Sequence, residues 1–212
     1  MKKDFKINFT HIYNLFLFLY VSLGFYFSLK TGITTDEFTH QYNWSLSFEV
    51  IKKSLLNIGD SNLDLVNYEW RFHGIGFHYF SQFYLFILNL FVNFEPFDKE
   101  SSKILLSHSF LFFSFFLSGI FSKKIIDLLI KDSFISKIFL IFYLMYPYLL
   151  GHGFYNPKDM PFLFAWILCT YISLNIFIKI LKNQEVFFSS IFLISLSTAF
   201  LLSIRISGIL IF

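Results

Sequence analysis

Long apolar runs separated by short polar segments make up most of the chain. A helix needs roughly 17–25 residues to cross about 30 Å of hydrocarbon, and a helix satisfies its own backbone hydrogen bonds there. The pattern therefore predicts an all-α polytopic membrane protein with about five transmembrane helices. These predicted spans are residues 12–29, 104–121, 134–150, 161–180 and 186–207.

Composition agrees with a membrane protein and excludes some functions. Of the 212 residues, 56% are hydrophobic and 34 are Phe. The net charge of +3 is spread along the chain, which argues against a nucleic-acid partner. The single cysteine, Cys169, lies in an apolar run and excludes an intramolecular disulfide. The first run is too long for a typical signal peptide and no small-residue cleavage site follows it, so an uncleaved first helix is favoured.

Residues 76–94 form a further apolar segment with two possible interpretations. Four polar side chains, His78, Gln82, Asn89 and Asn93, fall on one side of a helix at about 100° per residue. Such a stripe suits a helix that lies along the interface, or a spanning helix whose polar side faces a bundle. If the segment lies flat, the lysine-rich turn between the second and third spans is cytoplasmic, as the positive-inside rule favours. Residues 31–103 are then an extracytoplasmic loop with interfacial helices.

The flat interpretation brings two polar clusters to the same side of the membrane. The first cluster is residues 34–40, directly after the first span, and the second is residues 151–159, before the fourth. Arg205 lies about twenty residues into the fifth span and reaches the same surface. If residues 76–94 span instead, these groups are separated.

The first cluster carries two carboxylates beside the start of a predicted helix. Thr34 and Glu37 have the spacing of a capping box, so the plain interpretation is that Asp36 and Glu37 stabilise a helix N-terminus. The functional interpretation is that Asp36 and His40, four residues apart, hold a polar ligand or a divalent ion.

The second cluster allows the same two interpretations. Asn156 and Pro157 form a turn signal, with Asn156 as a helix cap and the two glycines beside it freeing the backbone. The functional interpretation is that Lys158 meets an anionic group while Asp159 serves as a base or metal ligand. Arg205 is equally suited to snorkelling toward the interface.

These clusters carry a resemblance to a known family. The chain resembles membrane glycosyltransferases of the GT-C type that use polyprenyl-phosphate sugars, the clan of protein O-mannosyltransferases and lipid A aminoarabinose transferases. The matching segments follow one another in order along nearly the whole chain: residues 35–40, 68–76, 151–159 and 205–208. They cover only the N-terminal part of such an enzyme. Because the last apolar run continues to Phe212, we expect the chain to be part of a longer polypeptide.

The resemblance implies one transmembrane catalytic module with its site on the extracytoplasmic side, in a bacterial inner membrane. It implies that Asp36 is the catalytic carboxylate with Glu37 beside it, and that Asp159 is the acid of the second loop. The candidate substrate-binding residues are His40, His73, His152, Asn156, Lys158 and Arg205. A divalent metal at Asp36 or Asp159 is a possible cofactor. Many relatives carry an arginine shortly before the second acid, where this chain has His152 and Lys158.

The partners implied are a polyprenyl-phosphate sugar donor, the bilayer, and a lipid, glycan or protein acceptor. Three other functions stay open at this stage. A transporter would place ionisable groups near the bilayer midplane. A non-catalytic membrane subunit would need neither Asp36 nor Asp159. A hydrolase or phosphotransferase would act on lipid-linked intermediates at the same site.

Overall fold

Helices account for the regular secondary structure of the computed structural model, which describes residues 2–56, 74–91 and 100–211. In chain order they are α1 Lys2–Ser28, α2 Thr35–Leu56, α3 Gly76–Phe91, α4 Glu100–Ile130, α5 Ser133–Met145, α6 Pro147–Tyr155, α7 Asp159–Leu181, α8 Phe188–Ile204 and a final 3-10 helix Ile206–Ile211. The predicted all-α class is confirmed.

Among the residues that the structure describes, three helices contain segments long and apolar enough to cross a membrane: Phe9–Ser28 in α1, Ser101–Ile130 in α4 and all of α7. The α5–α6 pair is a fourth candidate if its two helices form one broken span, and α8 is apolar but has 17 residues. The chain is therefore an integral membrane protein. Neither α2 nor α3 is among the candidate spans, and whether α3 lies flat in the interface stays a prediction.

The third predicted span, residues 134–150, is two helices and not one. The chain bends by 60° between α5 and α6 at Tyr146. Tyr146 has an extended backbone (φ −67°, ψ 113°), and Pro147 begins α6. Proline disfavours the α conformation in the residue before it and lacks the N–H that would continue the helix. The new helix runs on to Tyr155, so the residues that we predicted as a flexible glycine loop are helical as far as Tyr155.

The core forms around α4, which packs against α1, α3, α5, α6 and α7. Leu111, Phe112 and Phe115 on α4 are fully buried together with Leu140 and Leu144 of α5. The hydroxyl groups of Ser118 and Tyr143 lie 2.8 Å apart and join α4 to α5. Large apolar side chains on the outer sides of the bundle are exposed, as suits helices in contact with lipid.

The end of α8 approaches the start of α3 very closely. A Cβ atom at Gly74 would lie 2.2 Å from the backbone oxygen of Ile204, and one at Gly76 would lie 1.9 Å from the Ser203 hydroxyl. Only glycine allows two backbone segments to meet at this distance. The contact fixes the position of the C-terminal end of α8. It therefore also fixes the backbone position of Arg205, the residue that follows.

Candidate functional site

The start of α2 and the junction between α6 and α7 line one cavity of about 280 Å³. The two polar clusters, more than a hundred residues apart in sequence, meet there. The lining residues are Thr34, Asp36, Glu37, Thr39, His40, Tyr155, Asn156, Pro157, Lys158 and Asp159.

Asp36 is the carboxylate with unused hydrogen-bonding capacity in this cavity. It lies in the first turn of α2 and its side chain is exposed. Within the residues that the structure describes, it makes no hydrogen bond or ion pair. His40, one turn further along α2, also lines the cavity, and its ring lies 6.3 Å from that of His78. Asp36 is therefore placed to accept a proton or a hydrogen bond from a ligand.

Glu37 is used internally. Its side chain is only 4% exposed, and Oε2 accepts a hydrogen bond of 2.6 Å from the backbone N–H of Thr34. This is the glutamate half of the capping box that the sequence predicted. Its other oxygen, Oε1, lies 2.6 Å from Nε2 of His108, which is buried on α4. Both carboxylate oxygens are thus engaged, and the catalytic role that the family resemblance implied for Glu37 stays a prediction.

Asn156 organises the turn between α6 and α7. Its Oδ1 accepts hydrogen bonds from the backbone N–H groups of Lys158 and Asp159 at the start of α7. The N-cap position of α7 is Lys158, however, and Asn156, which we predicted as the cap, is the C-cap of α6. Its Nδ2 lies 3.0 Å from Nδ1 of His152 and 2.9 Å from Oδ2 of Asp159. One amide therefore holds both neighbouring side chains in place.

Arg205 reaches the same turn from the end of α8. Its guanidinium forms an ion pair with Asp159, and both side chains are partly exposed, at 36% and 49%. The guanidinium carbon lies 5.6 Å from the centre of the Phe162 ring, within the range of a cation–π contact. Nε is buried and has no hydrogen-bond partner among the described residues. The arginine can bind a further anion while it holds Asp159.

Lys158 adds a second positive group with an altered pKa. Burial, the largest cause, and the nearby charge of Arg205 lower the pKa of Lys158, against the opposing effects of Asp159 and Asp36. Lys158 is therefore close enough to Arg205, Asp159 and Asp36 to be influenced by each of them. The cavity is lined by the open carboxylate of Asp36 and the cation of Lys158, and Arg205 adds a second positive charge next to it through its pair with Asp159. This arrangement suits a ligand that carries a negative charge and a group that can give up a proton.

The described part of the structure offers few ligands for the predicted metal ion. In the part of the chain that the structure describes, no group of three or more His, Cys, Asp or Glu side chains is arranged to hold a metal ion. Asp159 is already bound by Arg205 and Asn156, so Asp36 is the better placed of the two candidate ligands.

Most of the predicted site residues come together. Asp36, His40, Asn156, Lys158 and Asp159 line the cavity with Glu37. Of the others, His152 is joined to this group through Asn156, and Arg205 is joined through Asp159. The prediction for His73 lies outside the described residues.

The sequence interpretation missed His108. This residue lies within the second predicted span, and an ionisable side chain inside a span is itself a signal of function. Its partner Glu37 is 71 residues away, so no local pattern could have joined the two.

Comparisons with known proteins give no name to this site. No protein-family model, no curated protein and no solved structure matches the chain.

Proposed function

We propose that this chain carries the active site of a membrane glycosyltransferase, which moves a sugar from a polyprenyl phosphate to an acceptor. The observation that carries the proposal is the cavity lined by Asp36, Lys158 and Asp159, with Arg205 paired to Asp159. Such a reaction needs a base for the acceptor and positive charge for the departing phosphate, and the cavity offers both. The resemblance of the two clusters to the GT-C type transferases supports the same reaction.

Asp36 is the proposed general base. A hydroxyl or amine of the acceptor attacks the anomeric carbon of the sugar, and the bond from that carbon to the phosphate oxygen breaks. The bonding electrons leave with the phosphate, and the proton of the acceptor passes to the Asp36 carboxylate. A positioned base of this kind contributes about 10²–10⁴-fold to the rate.

Lys158 and Arg205 are the proposed binding groups for the phosphate. The guanidinium offers two parallel N–H donors, while the ammonium acts as a point charge. The negative charge on the phosphate grows as the bond to the sugar breaks, so fixed cations stabilise the transition state more than the bound donor. Placement at the ends of apolar helices lets the polyprenyl chain remain in the bilayer.

We place the cavity on the extracytoplasmic side, in a bacterial inner membrane. His108, which binds Glu37 beside the cavity, is near the start of α4, and Lys131 follows its end. At about 1.5 Å per residue, these two positions lie roughly 35 Å apart along the axis of α4. The lysines of that far end, Lys123, Lys124 and Lys131, favour the cytoplasm, which leaves the cavity outside.

Asp36→Asn tests the proposal directly, because it keeps the shape of the side chain and removes the base. In the native protein we expect the variant to insert normally and to lose at least about 10²-fold in transfer rate. Glu49→Gln is the matched control, since Glu49 is an exposed acid on the same helix. Wild-type turnover by Asp36→Asn would contradict the proposed role.

A further inference from the structure

The buried pair of Glu37 and His108 is not accounted for by the proposed chemistry. Glu37 is 4% exposed and His108 is 1% exposed, and their side chains meet at 2.6 Å. The carboxylate accepts at both oxygens, so the Nε2–H of His108 donates to Oε1 while Thr34 donates to Oε2. The same ring leaves Nδ1 buried without a hydrogen-bond partner among the described residues.

This arrangement adds little to the stability of the fold. A buried hydrogen-bonded pair of this kind gains little over well-packed apolar side chains, because removing both polar groups from water offsets their attraction. The unpartnered Nδ1 adds a further desolvation penalty. A leucine at each position would avoid both penalties and would lose only the bond from the Thr34 N–H to Glu37.

The pair instead connects the start of α2 to the most buried helix of the bundle. Farther along, α2 contacts α3 through aromatic rings, with Trp44 and Phe48 against Tyr79. In the first turn of α2, Glu37 binds both the backbone N–H of Thr34 and His108 on α4. Asp36 lies between Thr34 and Glu37 in the sequence. The position of the Asp36 carboxylate in the cavity thus depends on the bond to α4.

We propose that His108 is a positioning residue, which holds Asp36 at the cavity through its hydrogen bond to Glu37. The inference rests on the proposed function in one respect, that Asp36 is the base for the acceptor. The hydrogen bond between His108 and Glu37 would hold Asp36 in place whether or not Asp36 acts as the base. Two kinds of measurement therefore separate the positioning from the reaction.

The first measurement is a cross-link across the cavity. Thr39→Cys and Tyr155→Cys, placed on opposite walls in a Cys169→Ser background, are joined by a short bifunctional maleimide in membranes. We expect the cross-link yield to fall in His108→Leu and to recover in His108→Gln, whose amide can again donate to Glu37. Tyr143→Phe is the control, because it removes a partly buried hydrogen bond between α4 and α5 that does not involve α2.

The second measurement separates positioning from stability. His108→Leu leaves a buried carboxylate unpaired and is expected to lower thermal stability, while Glu37→Leu combined with His108→Leu removes the charge and restores it. We expect this stable double variant to keep a kcat about 10²-fold below wild type, with the KM for the lipid donor unchanged. A misplacement of about 1 Å has an effect of this size.

The outcomes are distinct. If the stable double variant regains the wild-type kcat, or if the cross-link yield is the same in every variant, His108 has no positioning role. If the cross-link yield changes as expected but the wild-type protein transfers no sugar, the proposed function fails and the positioning of Asp36 stands.

Discussion

The guanidinium of Arg205, where α8 ends, pairs with the carboxylate of Asp159, where α7 begins. This contact joins two helix ends at the cavity and neutralises one of its acids. A second acid, Glu37, is held by Thr34 and His108. Asp36 is consequently the acid best placed to react, even though the sequence presents it as one of three similar carboxylates.

Arg205→Gln should impair transfer much more than stability. We expect a loss of about 10²–10³-fold in kcat, the usual effect of removing one donor that stabilises developing negative charge. The ion pair is partly exposed, so its loss should change the free energy of unfolding by at most about 1 kcal/mol. Arg205→Lys should recover part of the rate, because it keeps the charge without the planar fork. Transfer at the wild-type rate by Arg205→Gln would exclude a role in phosphate stabilisation.

Donor binding should weaken with rising pH because of Lys158. Burial and the charge of Arg205 lower the pKa of Lys158 from its usual 10.5, so its positive charge is lost at a lower pH than that of a free lysine. The KM for the anionic donor should therefore rise as the pH passes through this lowered value. In Lys158→Arg the charge persists, and the KM should stay constant.

The lowered pKa of Lys158 also affects the stability of the fold, which should rise with pH while donor binding weakens. Between the lowered pKa of folded Lys158 and 10.5, the unfolded chain binds more protons than the folded one, so this residue makes stability rise with pH. Weaker donor binding with no loss of thermal stability would thus identify the titration of Lys158. A KM that is independent of pH in the wild type would contradict the prediction.

Gly74→Ala should displace the end of α8. The added methyl group would meet backbone atoms of Ser203 and Ile204, which cannot rotate away as a side chain could. We expect the variant to be about 1–3 kcal/mol less stable, as is usual for overpacking, and to transfer sugar more slowly because Arg205 follows directly. Gly32→Ala is the control, since a Cβ there would meet nothing within 4 Å. Equal melting temperatures for the two variants would show that the close contact has no effect.

Features governed by local chemistry were predictable from the sequence. Apolar runs long enough to span gave the all-α membrane class, and the spacing of Thr34 and Glu37 gave the start of α2. The break at Tyr146 was missed, although Pro147 signals it, because the apolar run continues across the proline. Hydrophobicity alone does not distinguish one straight helix from two bent ones.

Features governed by tertiary contacts were not predictable. Charge patterning predicted that the two clusters and Arg205 share one side of the membrane. In the structure the two clusters line one cavity, and Arg205 is joined to it through Asp159. Charge patterning could not reveal that Arg205 would pair with Asp159, or that Glu37, at the wall of the cavity, would be bound by His108. Both pairings depend on how the helices pack against one another, and no local sequence pattern reveals that packing.

The most direct test of the account is the side of the membrane that each cluster faces. In a Cys169→Ser background, Thr34→Cys and Tyr155→Cys each place one thiol at a wall of the cavity, and Ser133→Cys places one near the lysine-rich turn. Intact cells are treated with a membrane-impermeant maleimide. We predict that the thiols at positions 34 and 155 react from outside, while the thiol at position 133 reacts only after the membrane is opened. If only one of the two cavity thiols reacts from outside, the clusters cannot form one extracytoplasmic active site.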